Sequence, residues 1–199
     1  MPDHCTEAKP QHVRRPAHLL YFAAVPPPEI KSRMASAWKT AGTGEPFRHD
    51  TLHLSIFAVA GLDHLDRVLV RRARQAALLL RTGPFPLCFD RLMTFNGSPG
   101  NLPLVIATER ISSDLNQVAA ELRAACHAMS LTASRSARVT PHVTLAYGRG
   151  FTGKRRLARP IFWTIDEITL IDSHHGRGRH VPLGRWALPP DRQEPRFQF

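Results

Sequence analysis

The chain has 199 residues, of which 43% are hydrophobic and 22% are charged, and its net charge is +11 from 27 Lys and Arg against 16 Asp and Glu. This composition suits one compact domain, or one domain built of two lobes, and it is not that of a disordered chain. The excess positive charge is almost all arginine, which favours an anionic partner such as nucleic acid. An arginine-rich proteome would produce the same balance, so the charge alone leaves both explanations open.

The cysteines, Cys5, Cys88 and Cys126, are odd in number and form no CxxC pair. They indicate neither a disulfide framework nor a thiolate zinc site, and they favour a reducing compartment. No run of about 18 apolar residues is present, and the N-terminus lacks the apolar stretch of a secretory signal. We therefore expect a cytoplasmic protein that does not cross a membrane and acts as a monomer with no obligate protein partner.

Helical periodicity alternates with apolar runs of strand length along the chain. We predict a helix that starts in PPPEI and stops at Gly42, an amphipathic helix over 62–81, and a helix over 112–130 that is capped by Ser112 or Ser113. We predict seven strands, separated by turn-forming segments such as NGSPGN, at residues 18–25, 51–59, 85–95, 102–109, 142–147, 162–173 and 180–188. Helices combined with hairpins favour an α+β fold with antiparallel sheets over a doubly wound parallel sheet.

The two ends of the chain differ in composition from the rest. Residues 1–16 are polar, basic and proline-bearing, and we expect a flexible arm there. Residues 189–199 are rich in proline and polar side chains, and we expect a loosely attached tail. A single two-lobed domain is predicted between them, at 17–188.

Two strands share the same unusual pattern of polar residues. His53 and Ser55 lie two apart in HLSIFAVAG, and His142 and Thr144 lie two apart in HVTLAYGRG. Side chains alternate along a strand, so each pair shares one face. Two imidazoles can act as a general base and a general acid, while the hydroxyls donate hydrogen bonds to phosphoryl oxygens. One such pair is usually structural, but two copies together favour metal-free phosphodiester chemistry.

The segments HLLYFAAVPP, TLHLSIFAVAG and TPHVTLAYGR, in that order, resemble the 2H phosphoesterases, and within them the 2′-5′ RNA ligase (RNA 2′,3′-cyclic phosphodiesterase) family. The resemblance runs over roughly residues 18–188. It implies two lobes, each a small antiparallel sheet backed by helices, with an active-site groove between them. It also implies that His53 with Ser55 and His142 with Thr144 are the catalytic pairs, and that no cofactor or metal is needed.

The implied reaction is hydrolysis of 2′,3′-cyclic phosphate ends of RNA or nucleotides, together with reversible 2′-5′ ligation. By analogy with the family, His53 is the acid and His142 the base when the 3′ oxygen leaves, but the sequence does not fix these roles and they swap in ligation. The family usually has threonine in both motifs; Ser55 keeps the donor hydroxyl with a less restricted χ1. Tyr147 and Arg149 loosely match family positions after the second motif, and Arg149 is the best candidate for a phosphate contact.

Several other residues suggest additional or competing roles. Arg177 and Arg179 are candidate contacts for RNA phosphates at the groove edge. His174 and His175 are poor metal ligands, because adjacent loop residues rarely chelate one ion and no carboxylate-rich partner is nearby in sequence. The arginine-rich run RVLVRRARQ fits a solvated helix face better than an RNA-binding surface. Two other functions stay open: a non-catalytic RNA-binding module that uses the same basic groove, and a metal-dependent hydrolase built on the 11 histidines.

Overall fold

The computed structural model describes residues 16–42, 44–131, 139–149 and 153–190. The predicted arm and tail lie outside these ranges, apart from positions 16, 189 and 190. Within the described ranges the chain forms three helices, a short 3-10 helix and strands that extend to residue 187. These elements, in chain order, are β1 (His18–Ala24), α1 (Pro28–Ala41), the 3-10 helix (His49–Thr51), β2 (Leu54–Leu62), α2 (Arg67–Ala77), β3 (Phe85–Thr94), β4 (Leu102–Ala107), α3 (Ser113–Ala128), β5 (His142–Gly148), β6 (Lys154–Ile165), β7 (Glu167–His174) and β8 (Arg179–Ala187).

The strands form two four-stranded sheets in which every pair is antiparallel. Sheet A has the order β2-β1-β7-β8, and sheet B has the order β5-β4-β3-β6. Helix α1 packs against β5 and β6 of sheet B, while α3 packs against β2 and α2 against β8 of sheet A. The predicted α+β fold, with two small antiparallel sheets backed by helices, is confirmed.

The helix ends follow local capping chemistry. Helix α1 stops at Gly42, whose φ of 65° is the left-handed conformation that glycine adopts at little cost. Helix α2 begins after Asp66, whose carboxylate accepts two backbone N–H groups of the first turn. Helix α3 begins after Ser112, whose hydroxyl accepts the N–H of Leu115 at 3.2 Å, so Ser112 rather than Ser113 is the cap.

One continuous apolar core joins the two sheets and the three helices. Phe22 of β1, Phe89 of β3 and Leu122 of α3 are fully buried within it. Burying an apolar side chain of this size contributes about 1.5–3 kcal/mol. Cys126 also lies in this core, and burial raises the pKa of its thiol to about 11, so it remains protonated at neutral pH.

The predicted strand at 162–173 is wrong, because the chain forms two strands there. β6 begins at Lys154 and ends at Ile165, and β7 starts after Asp166. The first part of β6 reads KRRLARP, which carries no apolar alternation. It forms a strand because β6 is the edge of sheet B, where charged side chains and Pro160 are tolerated.

Each sheet has a second face, opposite the helices, which we call its groove face. On sheet A, Tyr21, Ala23 and Ile171 form a small apolar cluster separate from the main core. On sheet B, Val105 and Ala107 are buried but lie outside the main core. Side chains that are paired across neighbouring strands point the same way, so register decides which functional residues these faces carry.

Candidate active site

His53 and His142 are held by the same hydrogen bond in the two halves of the chain. Nδ1 of His53 lies 2.8 Å from the carbonyl oxygen of Thr51, and Nδ1 of His142 lies 2.8 Å from that of Thr140. A carbonyl oxygen only accepts, so each Nδ1 must carry the proton. Each neutral imidazole therefore keeps the lone pair of Nε2 available to an external group.

His53 adjoins β2 and His142 begins β5, and these two strands contact each other. His53 follows the 3-10 helix and lies immediately before β2, whereas the strand predicted at 51–59 included it. The backbone N–H of Arg48 donates to the carbonyl of Leu145 in β5 at 2.9 Å, which ties the segment before His53 to the strand of the second motif. The two imidazoles lie near enough for a charge on His142 to lower the pKa of His53.

His53 is half-buried and lies beside two rings. Its ring centroid is 5.1 Å from that of Tyr21 and 4.9 Å from that of His180. Burial lowers the pKa of His53 to about 4; the Thr51 carbonyl opposes this shift, whereas His180, Arg48 and His142 add to it. His53 is therefore neutral at neutral pH in the unliganded protein.

The sequence did not predict that His180 belongs to this site. It lies in β8, and burial together with the positive charge of Arg48 lowers its pKa to about 4. Its Nδ1 is 3.5 Å from the hydroxyl of Tyr21, a long contact. Burial raises the pKa of Tyr21, against the opposing effects of Arg48 and of a hydrogen bond with Ser173. His53 thus has two histidines near it, His142 and His180, where the sequence predicted one.

The hydroxyls of the two motifs lie on the groove faces. Ser55 is exposed and is paired with Ala23 across β2 and β1. Ala23 packs in the same cluster as Tyr21, whose ring contacts that of His53. Ser55 therefore lies on the same side of sheet A as this contact. Thr144 is half-buried and paired with Val105 of sheet B. A phosphoryl group between the two histidines could receive a hydrogen bond from each hydroxyl.

Arg48 is the second functional residue that sequence reasoning missed. Its guanidinium carbon lies 4.9 Å from the ring centroid of Tyr147, a cation–π contact. The same guanidinium affects the titration of His53, His180 and Tyr21. Arg48 therefore supplies a fixed positive charge beside the histidines and connects Tyr147, a predicted substrate-binding residue, to them.

The three arginines that the sequence predicted to bind substrate differ in their surroundings. Arg149 is exposed, and its backbone N–H donates to Glu45 at 3.1 Å. Arg177 is exposed in the turn between β7 and β8. Arg179 is exposed and directly precedes His180 in β8, so its side chain leaves the opposite face of sheet A. The structure does not bring Arg179 to the histidines, because alternation along the strand gives that face to His180.

His174 has a carboxylate partner that the sequence did not reveal. Asp172 is buried; its carboxylate lies 2.9 Å from Nδ1 of His18 and 3.1 Å from Nε2 of His174. Among the described residues, this trio is the group whose donor atoms could hold a metal ion, all within 4.8 Å of one another. His18 pairs with Leu62 at the far end of β2 from His53, so the trio is separate from the histidine pair. Its hydrogen bonds already satisfy the buried carboxylate.

Among the described residues, no helix has the length and apolarity needed to span a membrane.

No curated protein matches the chain in sequence. Several solved structures share its fold. A structure described as a phosphoesterase is 24% identical, with a TM-score of 0.67, and the match covers 86% of this chain and 98% of that one. Escherichia coli LigT complexed with NADP+ is 24% identical, with a TM-score of 0.65 and coverage of 86% of this chain and 98% of that one, and TT0787 of Thermus thermophilus is 18% identical, with a TM-score of 0.65 and coverage of 87% and 99%.

The family comparison is more specific than the fold. The model of the 2′-5′ RNA ligase superfamily matches residues 26–177, which include both histidine motifs. That match spans well over half of the chain. The protein therefore belongs to the 2′-5′ RNA ligase superfamily, a group of 2H phosphoesterases with phosphoesterase- and ligase-type activity.

Proposed function

We propose that the protein hydrolyses 2′,3′-cyclic phosphate ends of RNA or nucleotides by two-histidine acid/base catalysis that requires no metal ion. One observation carries the proposal: His53 and His142 each donate through Nδ1 to a backbone carbonyl, which leaves both Nε2 atoms for substrate. A matched pair of imidazoles in fixed tautomers is what a reaction needs when one proton must be removed and another supplied.

The steps follow from that pairing. The Nε2 lone pair of one histidine accepts a proton from water while the water oxygen bonds to phosphorus. The bond from phosphorus to the ribose 3′ oxygen breaks, and the protonated Nε2 of the other histidine gives its proton to that oxygen. The product is a 2′-phosphate, and the two histidines have exchanged protonation states. Ligation is not the reverse of this hydrolysis: the 5′ hydroxyl of a second RNA end takes the place of water, and the two histidines keep their roles. The roles swap only when a 2′-5′ bond is cleaved back to the cyclic phosphate.

The family analogy makes His53 the acid and His142 the base. Because burial keeps His53 neutral in the unliganded protein, it must gain a proton when substrate binds. The negative charge of a phosphodiester beside Nε2 stabilises the imidazolium and opposes the effects of burial, His180 and Arg48. We therefore expect substrate binding to be coupled to proton uptake.

Three donors are placed to stabilise the phosphoryl oxygens. Ser55 and Thr144 supply one hydroxyl each, and Arg48 supplies a cation that remains charged through the reaction. Charge develops on these oxygens as water attacks. Donors that are already in position therefore stabilise the transition state more than the ground state, which lowers the barrier. The structure of LigT complexed with NADP+ supports a phosphorylated nucleotide as a ligand of this fold.

A substrate panel tests the proposal. The protein is incubated with 2′,3′-cyclic mononucleotides and with a short RNA that ends in a 2′,3′-cyclic phosphate, with and without EDTA, and products are identified by phosphorus NMR. The expected result is a 2′-phosphate product at a rate that EDTA does not change. Loss of turnover with EDTA would favour a metal-dependent hydrolase, and salt-dependent RNA binding without turnover would favour a non-catalytic RNA-binding module.

A further inference from the structure

A row of paired residues runs across sheet B from His142 to the far edge. The register aligns His142 with Ala107 of β4, Ala107 with Arg91 of β3, and Arg91 with Arg156 of β6. Aligned residues of neighbouring strands share a face, so all four project from the groove face. At about 4.8 Å per strand, Arg91 and Arg156 lie about 10 and about 14 Å across the sheet from His142.

A second row repeats this arrangement beside the first. It aligns Thr144 with Val105, Val105 with Met93, and Met93 with Lys154. The positive charges of both rows are therefore on β3 and β6, away from the strand that carries His142 and Thr144. Cations at these positions are placed for phosphates other than the one that reacts.

A cavity of about 330 Å³ on sheet B has Lys154 and Glu109 in its wall. The Phe95 ring is part of its wall, and the centroid of that ring is 4.9 Å from the His142 imidazole at a tilt of 50°. A half-buried aromatic ring beside a catalytic group offers a flat surface on which any nucleobase can stack. Around Phe95 the wall also includes Met93, Ile111, Thr140 and Lys154.

A carboxylate, that of Glu109, lies among the cations of this surface. Glu109 pairs with Arg91 at 2.9 Å and with Lys154 at 2.5 Å, and the Lys154 hydrogen bond holds the pKa of Glu109 below its usual range. Asp90 also lies 3.6 Å from Arg91, so the cations Arg91, Arg156 and Lys154 have two carboxylates beside them. Guanidinium and ammonium groups each have several donors, so a phosphate can share them with Glu109 or displace it.

We propose that this surface of sheet B binds the RNA chain as it leaves the histidine pair, with a base stacked on Phe95 in the cavity and backbone phosphates at Lys154, Arg91 and Arg156. The inference rests on the proposed function and narrows its substrate class to RNA ends rather than free cyclic mononucleotides. The phosphate of a mononucleotide sits at the histidines and leaves the cations on β3 and β6 unused. Glu109 keeps Arg91 and Lys154 paired until an RNA chain replaces it.

The test compares kcat/KM for a trinucleotide that ends in a 2′,3′-cyclic phosphate with kcat/KM for the cyclic mononucleotide. For the wild type, kcat/KM for the trinucleotide should be about tenfold or more above that for the mononucleotide. Stacking of one base alone changes binding affinity about fivefold to a hundredfold. Lys154→Ala and Phe95→Leu should each lower the ratio about fivefold or more. Lys39→Ala, an exposed lysine of α1, and Phe162→Leu, an exposed aromatic of β6, are the matched controls and should leave the ratio as in wild type.

Two further results bear on the same surface. Glu109→Gln frees Arg91 and Lys154, so it should raise the ratio. For Lys154→Ala, the slope of log(kcat/KM) against log salt for the trinucleotide should become shallower by about 0.7, the value for one lost phosphate contact on a single strand. Equal efficiency on both substrates, or ratios that none of these variants alters, would overturn the inference.

A failure of the proposed catalysis can be told apart from a failure of the proposed RNA surface. If neither substrate is turned over, the catalytic proposal is wrong, and the surface is then judged by binding alone. Fluorescence anisotropy with a labelled trinucleotide 3′-phosphate should still show weaker binding to Lys154→Ala than to Lys39→Ala. Equal binding to these two variants would reject the RNA surface as well.

Discussion

The lowered pKa of the half-buried His53 predicts how the stability of the protein changes with pH. A histidine whose pKa falls from 6.5 in the unfolded chain to about 4 in the fold binds fewer protons in the native state between these values. The free energy of unfolding should therefore decrease as the pH falls from 6.5 towards 4. Integrating this linkage from pH 7 to pH 5 gives a loss of about 2 kcal/mol that is due to His53.

His53→Asn removes the titrating group and keeps a side-chain donor for the Thr51 carbonyl. Urea unfolding at pH 7 and pH 5, with the midpoint and the m-value fitted separately, measures the change. Between these pH values the variant should lose about 2 kcal/mol less stability than the wild type. His64→Asn, at an exposed position before α2, is the control for the substitution itself. If His53→Asn and the wild type lose equal stability between pH 7 and pH 5, the reasoning is refuted. The pKa of His53 would then be the same in the folded and the unfolded protein.

Three further predictions follow from other contacts. Arg48→Ala should lower kcat/KM for a cyclic phosphate about hundredfold with the fold intact, because a preorganised charge on the phosphoryl group is lost; unchanged kinetics would remove Arg48 from the site. Glu121→Ala should lower the free energy of unfolding by about 1–3 kcal/mol, because its carboxylate accepts the N–H groups of Arg81 and Thr82; an unchanged urea midpoint would show that these bonds contribute nothing. His180→Asn should raise the pKa of His53 in an NMR titration, since His180 lowers it now; an unshifted titration would contradict the contact.

The fold was predictable where the pattern was local. The apolar runs of β1, β2, β4 and β5 and the capped helices α1 and α3 can be recognised from a few neighbouring residues. The start of β6 could not be predicted in this way, because Lys154 to Pro160 carries the charges and the proline of an edge strand. Its partner is β3, more than 60 residues earlier in the chain, so the pairing depends on tertiary structure.

The candidate site divides in the same way. The two His-x-hydroxyl motifs could be identified from spacing alone, since each lies within one strand segment. Tyr21, Arg48 and His180 could not, because they come from β1, the segment before β2, and β8, and meet only through the strand order of sheet A. His180 has no distinguishing neighbour in sequence. Its ring contacts that of His53 although β8 and β2 are the two opposite edges of sheet A.

The most direct test of the central claim is the rate of cyclic phosphate hydrolysis by His53→Asn and His142→Asn. Both variants keep a donor for the carbonyl that orients each histidine, so the loss of the Nε2 chemistry is measured with the least change in structure. We predict that each variant lowers kcat for a 2′,3′-cyclic phosphate by about 100- to 10,000-fold while circular dichroism stays unchanged. Near-wild-type turnover by either folded variant would contradict two-histidine catalysis.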